Sequence, residues 1–70
     1  MELEWDDGFE IRVTAEHGEV VLSANRAGLL SLANHLTALA RDNTPGAHIH
    51  LDEHNSLEDG STDLIIQRTD

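Results

Sequence analysis

One stretch alone carries helical periodicity, Asn25 to Asp42. Leu29, Leu32, Ala33, Leu36, Leu39 and Ala40 recur there at spacings of three and four, which predicts one amphipathic helix burying those six side chains. Asn25 suits the N-cap, where its side-chain oxygen can accept an otherwise orphan N–H of the first turn. Asn43 and then Pro45-Gly46 are stop signals. The remaining apolar residues mostly alternate with polar ones, so the rest of the chain is expected to be strand laid against this helix.

Phe9, Ile11, Val13 and Ala15 alternate with Glu10, Arg12 and Thr14, the pattern of a half-buried strand. Glu19–Ala24 follows after His17-Gly18. A two-residue turn there pairs Ala15 with Val20, Val13 with Leu22 and Ile11 with Ala24, all on one face. A three-residue loop would expose Leu22, and a one-residue slip turns a whole strand over, so burial selects the first register. Upstream, Leu3 and Trp5 alternate with Glu2 and Glu4, which favours a short extra edge strand, with Asp7-Gly8 as a turn or a bulge. Trp5 is either a core plug or an interface anchor. Downstream, Ala47–Asp52 alternates again, with Ala47, Ile49 and Leu51 inward and His48, His50 and Asp52 outward. Glu53–Ser61 is a polar connection anchored by Leu57, and Asp63–Arg68 is the last strand.

The expected fold is therefore a single α+β domain over residues 1–70, in the order (β)ββ-α-ββ. One helix covers one face of a four- or five-stranded, mainly antiparallel sheet. The opposite sheet face is left to water or to company, and shows Arg12, His48, His50 and Asp52. A chain of 70 residues buries only about 60% of its unfolded surface, so its core is thin. With no cysteine, neither disulfides nor a zinc–thiolate site can reinforce it. Homodimerisation is the other way to add buried area.

Charge excludes whole classes of partner. Four arginines and no lysine stand against 14 acidic residues, a formal net charge of −10. Nucleic acids and anionic membranes both demand cations, so neither is an expected partner. A basic protein partner suits this chain, because opposite charge speeds encounter. The N-terminal residues lack the basic and apolar regions of a signal peptide, and no run is long enough to span a membrane. The expected location is the cytoplasm.

His48-Ile-His50-Leu-Asp52-Glu-His54 is the one dense set of potential metal ligands. His48, His50 and Asp52 share a strand face, with neighbours roughly 7 Å apart. The run superficially resembles the H-x-H-x-D-H signature of metallo-β-lactamase-fold hydrolases. Glu53, however, intervenes between Asp52 and His54, and the chain lacks the length and later ligands of such an enzyme. Solvent-facing histidines are the plainer account, so no metal or other cofactor is expected. No serine sits in a Gly-x-Ser-x-Gly elbow and the glycines form no phosphate loop. The chain is therefore not expected to be an enzyme. His35, at the edge of the apolar stripe, reads as a boundary residue that packs its ring.

Three segments, Asn25–Ala33, Gly46–Glu53 and Leu57–Ile66, together resemble the immunity protein 32 family of small bacterial proteins. The resemblance implies a cytoplasmic protein that neutralises a toxin delivered by competing bacteria, without catalytic residues of its own. Combined with the bare face and the acidic connection, it makes Arg12, His48, His50, Asp52, Glu53, Glu58 and Asp59 the expected partner-binding residues. A metal- or small-ligand module on His48, His50 and Asp52, or a homodimer, are the alternatives.

Overall fold

A computed structural model describes residues 1–70. Its elements are β1 (Ile11–Glu16), β2 (Glu19–Ala24), α1 (Arg26–Arg41), β3 (His48–Leu51) and β4 (Leu64–Gln67). β1 and β2 pair antiparallel in the register that burial selects, with Ala15 opposite Val20, Val13 opposite Leu22 and Ile11 opposite Ala24. His17 and Gly18 make the turn, both with positive φ (52° and 79°), the signature of a type I′ hairpin. β3 and β4 form a second antiparallel hairpin, with Ile49 opposite Ile66 and Leu51 opposite Leu64. No helix is long and apolar enough to cross a membrane.

The expected single sheet of four or five strands is corrected to two separate two-stranded sheets. The connection between β3 and β4 occupies the edge of β1 that a further strand would need. The Glu58 N–H donates to the Ile11 carbonyl (2.9 Å) and the Thr62 N–H to the Val13 carbonyl (2.8 Å). The Val13 N–H in turn donates to Ser61 Oγ (3.2 Å). An irregular segment thus satisfies the edge of β1, and the second hairpin stands apart from the first. Both hairpins turn one face to a shared core of Ile11, Val13, Ile49 and Leu51, closed by Leu32 and Leu39 of the helix and by Leu57.

The N-terminal edge strand is also corrected. Residues before Ile11 form no strand. They run beside α1, where the Asp6 N–H donates to Ser31 Oγ (2.8 Å). Trp5 stacks obliquely on Phe9, centroids 4.4 Å apart, and meets the ring of His35 edge-on at 4.1 Å. Leu3, Trp5 and Phe9 all pack against the core. Their alternation reflects an extended segment buried on one side, without the ladder that would make it a strand, and Trp5 is a core plug.

The helix has its expected bounds, but its phase is corrected. Its buried residues are Gly28, Ser31, Leu32, His35 and Leu39, while Leu29 and Leu36 are exposed, as are Ala33 and Ala40. Gly28 is the physical reason. A Cβ built on it would lie 2.5 Å from the Glu10 carbonyl oxygen and 2.9 Å from Ile11 Cγ1. Only a glycine lets the helix backbone sit this close to β1, and that contact turns the helix about one residue from the all-leucine face. His35 is carried from the boundary into the interior.

Asn25 does more than cap. Its Oδ1 accepts from the Gly28 N–H (2.8 Å) and from the Glu10 N–H (3.0 Å), and its Nδ2 donates to the Gly8 carbonyl (2.9 Å). The side chain therefore ties the helix start to the entry of β1. Asn25→Ala is expected to cost about 2 kcal/mol, the upper end for a cap. Asn25→Asp keeps the two accepted bonds and is expected to recover most of that loss, as read from urea midpoints. At the other end, Arg68 Nη1 donates to the carbonyls of Ala40 (3.2 Å) and Asp42 (2.6 Å), covering orphan acceptors of the last helical turn.

Candidate interaction face

Alternation fixes the outer faces of both hairpins. Because Ile11, Val13, Ile49 and Leu51 point into the core, Arg12 and Thr14 point out with Ser23 and Val21. His48 and His50 point out with Gln67 and Ile65. The thinnest dimension of the chain is 18 Å, as expected for a single helical layer on a single strand layer, so this outer face stays uncovered.

Asp52 organises the connection that follows β3. Its carbonyl accepts from the N–H groups of Asn55, Ser56 and Leu57. Its Oδ1 accepts from the N–H groups of His54 (2.8 Å) and Asn55 (3.0 Å). The result is a tight loop that drops Leu57 into the core. Glu53 reaches across it, Oε2 accepting from the Gly60 N–H (2.8 Å). Arg12 Nη1 donates to the Asp59 carbonyl (2.7 Å), joining the loop to the face of β1. Glu58 borders a shallow depression with Glu10, Arg12 and Ser23.

The expected partner-binding residues are therefore partly gathered. Arg12, Glu53, Glu58 and Asp59 belong to one ordered loop–strand unit. His50 lies beside Asp52, with Nε2 4.0 Å from its Oδ2. His48 stands apart, its Nδ1 at hydrogen-bond distance (3.0 Å) from the Gly46 carbonyl. Sequence reasoning passed over Asp63, whose Oδ2 lies 3.1 Å from His50 Nε2. The register could have found it: Leu51 faces Leu64, so the next pair outward is Asp52 and Asp63. One ligand atom from each of His50, Asp52 and Asp63 lies within 4.8 Å of the others. That is close enough for them to share a cation or a positively charged side chain from a partner.

The face can supply a cluster of carboxylate acceptors, one imidazole and two exposed apolar side chains, Val21 and Ile65. It offers no paired nucleophile and base.

The sequence pattern of one family, immunity protein 32, matches residues 19–69, from the start of β2 to past the end of β4. No curated protein and no solved structure matches the chain.

Proposed function

The chain belongs to the immunity protein 32 family, and on that premise we propose that it neutralises a toxin by non-covalent binding through the acidic outer face. The observation that carries this reading is the convergence of Asp52 and Asp63 on His50, next to a connection that also carries Glu53, Glu58 and Asp59, in a chain of net charge −10. A basic toxin domain would meet Asp52, Asp63 and His50 with its cations and rest apolar contacts on Val21 and Ile65. Hydrogen bonds hold the Asp52 and Glu53 carboxylates in place beforehand, so these two lose little conformational entropy on docking. The protein acts in the cytoplasm and without catalysis: it occludes.

The test titrates the purified chain with a candidate basic toxin domain, chosen from its gene neighbourhood if one is encoded there. Affinity is expected to fall about tenfold or more between low and roughly 0.3 M salt, as opposite-charge encounter requires. The Glu58→Lys/Asp59→Lys pair is expected to slow association by at least about tenfold. No complex at micromolar concentration, or a complex indifferent to salt, contradicts the reading.

The spacing of His50, Asp52 and Asp63 favours one second reading, a weakly held divalent cation. Zinc calorimetry on untagged protein separates the two. A cation site requires stoichiometric binding that Asp63→Asn abolishes, and it does not require His48.

A further inference from the structure

The other exposed face of the chain is built to opposite rules. β2 pairs only with β1. The type I′ turn makes Glu16 and Glu19 the hydrogen-bonded pair that closes the hairpin, and bonded pairs recur at every second position. Val21 and Ser23 therefore bond to β1, while the main-chain N–H and C=O of Val20 and Leu22 point away from it. The same alternation on β1 aims Ile11 and Val13 outward, where Glu58, Thr62 and Ser61 meet them. Nothing meets Val20 and Leu22.

This edge is also unguarded. Natural edge strands carry lysine, proline or a bulge to refuse further pairing; β2, Glu-Val-Val-Leu-Ser-Ala, has none of these. Its two core-side residues miss the core, Val20 being 69% and Leu22 40% exposed. They lie on the sheet face that α1 covers. The helix touches β2 at Ala24, against Gly28, and its next residue, Leu29, is 55% exposed, with Leu36 one heptad on at 50%. The N-terminal segment occupies the opposite flank of α1, at Ser31 and beside Asn34 and Ala38, which leaves Leu29 and Leu36 open.

Charge selects the occupant. The helix from Arg26 to Arg41 contains no acidic residue, although 14 are spread over the remaining chain. The one acidic residue of β2, Glu19, stands at its turn end, so a basic toxin has little to recognise along this flank. For a second copy carrying the same −10 charge, this flank is where approach is least opposed. We propose that it is a homodimer interface, in which β2 of one copy adds antiparallel to β2 of the other about a two-fold axis at Val21. That register is self-complementary. Val20 faces Leu22 of the second copy as a hydrogen-bonded pair, so each exchanges both of its free main-chain groups. Glu19 faces Ser23, so no like charges stand opposite one another. The β1–β2 hairpins of the two copies become one four-stranded sheet, and Val20 and Leu22 gain cover. The assembly sets Val21 against its own copy at the axis, leaves Asp52, Asp63 and Ile65 of each copy free, and is tested independently of toxin binding.

Sedimentation equilibrium on the full chain, with amide hydrogen exchange read at Val20 and Leu22, tests the interface. A dimer is expected at high micromolar concentration, with both amides protected. Leu22→Lys, placed on an exposed site and so compatible with folding, is expected to weaken association at least about tenfold and release both amides. Ile65→Lys, on the outer face of β4, is expected to leave both readouts unchanged. A monomer at about 500 µM, well above the dissociation constants of specific dimers, overturns the proposal. So does a dimer whose Val20 and Leu22 amides exchange freely, or one that Leu22→Lys leaves intact while near-UV dichroism reports native packing.

Discussion

Gly28→Ala is expected to destabilise the fold by about 1–3 kcal/mol, the range for overpacking a close contact. The same change in an exposed helix interior stabilises by about 1 kcal/mol, because alanine is the better helix former. The sign reverses because the added methyl would lie 2.5 Å from the Glu10 carbonyl oxygen, 2.9 Å from Ile11 Cγ1 and 3.1 Å from Ala24 Cβ. The first of these is backbone and cannot swing aside, so relief requires lifting α1 off β1 and opening the core at Ile11. Ala33→Gly, at an exposed helix position, supplies the contrast: only the propensity loss of about 1 kcal/mol is expected. Urea midpoints with unchanged slopes are the measurement. An unchanged or raised midpoint for Gly28→Ala would mean that the helix is not seated on this glycine.

Acidification from pH 7.5 to 5.5 is expected to weaken the fold through His35. This ring is fully buried, and neither nitrogen has a hydrogen-bond partner of good geometry. Burial disfavours the charged imidazolium and lowers the His35 pKa below its ordinary value of 6.5; the Glu4 backbone carbonyl pulls more weakly the other way. The unfolded chain therefore takes up the proton first as pH falls. Above 6.5 both states are neutral at this residue and stability is unaffected by it. Below 6.5 stability declines, by up to about 1.4 kcal/mol per pH unit, until the folded-state pKa is passed and the native ring is protonated too. His35→Leu removes the titrating group and is expected to flatten the profile over this window. The carboxylates ordinarily titrate lower, near pH 4, so the window separates the two effects. A profile in His35→Leu as steep as in the parent chain would assign the acid sensitivity to other groups.

The same two residues mark where the sequence stops being readable. The β1–β2 register followed from alternation and a two-residue turn, although Val20 and Leu22 on the core side stay 69% and 40% exposed. The cap at Asn25 and the anchor at Leu57 followed from local chemistry. The helix phase did not. Periodicity ranks faces by how apolar they are, and the all-leucine face of α1 is the more apolar. Gly28, with no side chain to score, decides the matter by allowing contact with β1. Similarly, alternation at Leu3 and Trp5 records one-sided burial and is silent on whether a strand or a helix lies alongside. In the candidate site, Asp52 and His50 were visible as neighbours on a strand. Asp63 was not, because it joins them only through the β3–β4 register, across a loop whose length hid the pairing. Leu29 and Leu36 were read as core, yet they lie on the surface, 55% and 50% exposed. An apolar stripe that the fold leaves uncovered is itself informative, since soluble monomers seldom leave such stripes contiguous.

The central proposal is that a toxin partner is met by the acidic outer face and not by the apolar edge. Amide hydrogen exchange on the chain, alone and with a toxin domain that it is found to bind, tests this most directly. Slowed exchange on complex formation is expected across residues 50–63 and at Arg12, with Val20 and Leu22 no different from the free protein. New protection confined to β2 and α1, with the Asp52–Asp63 segment exchanging as before, would contradict it.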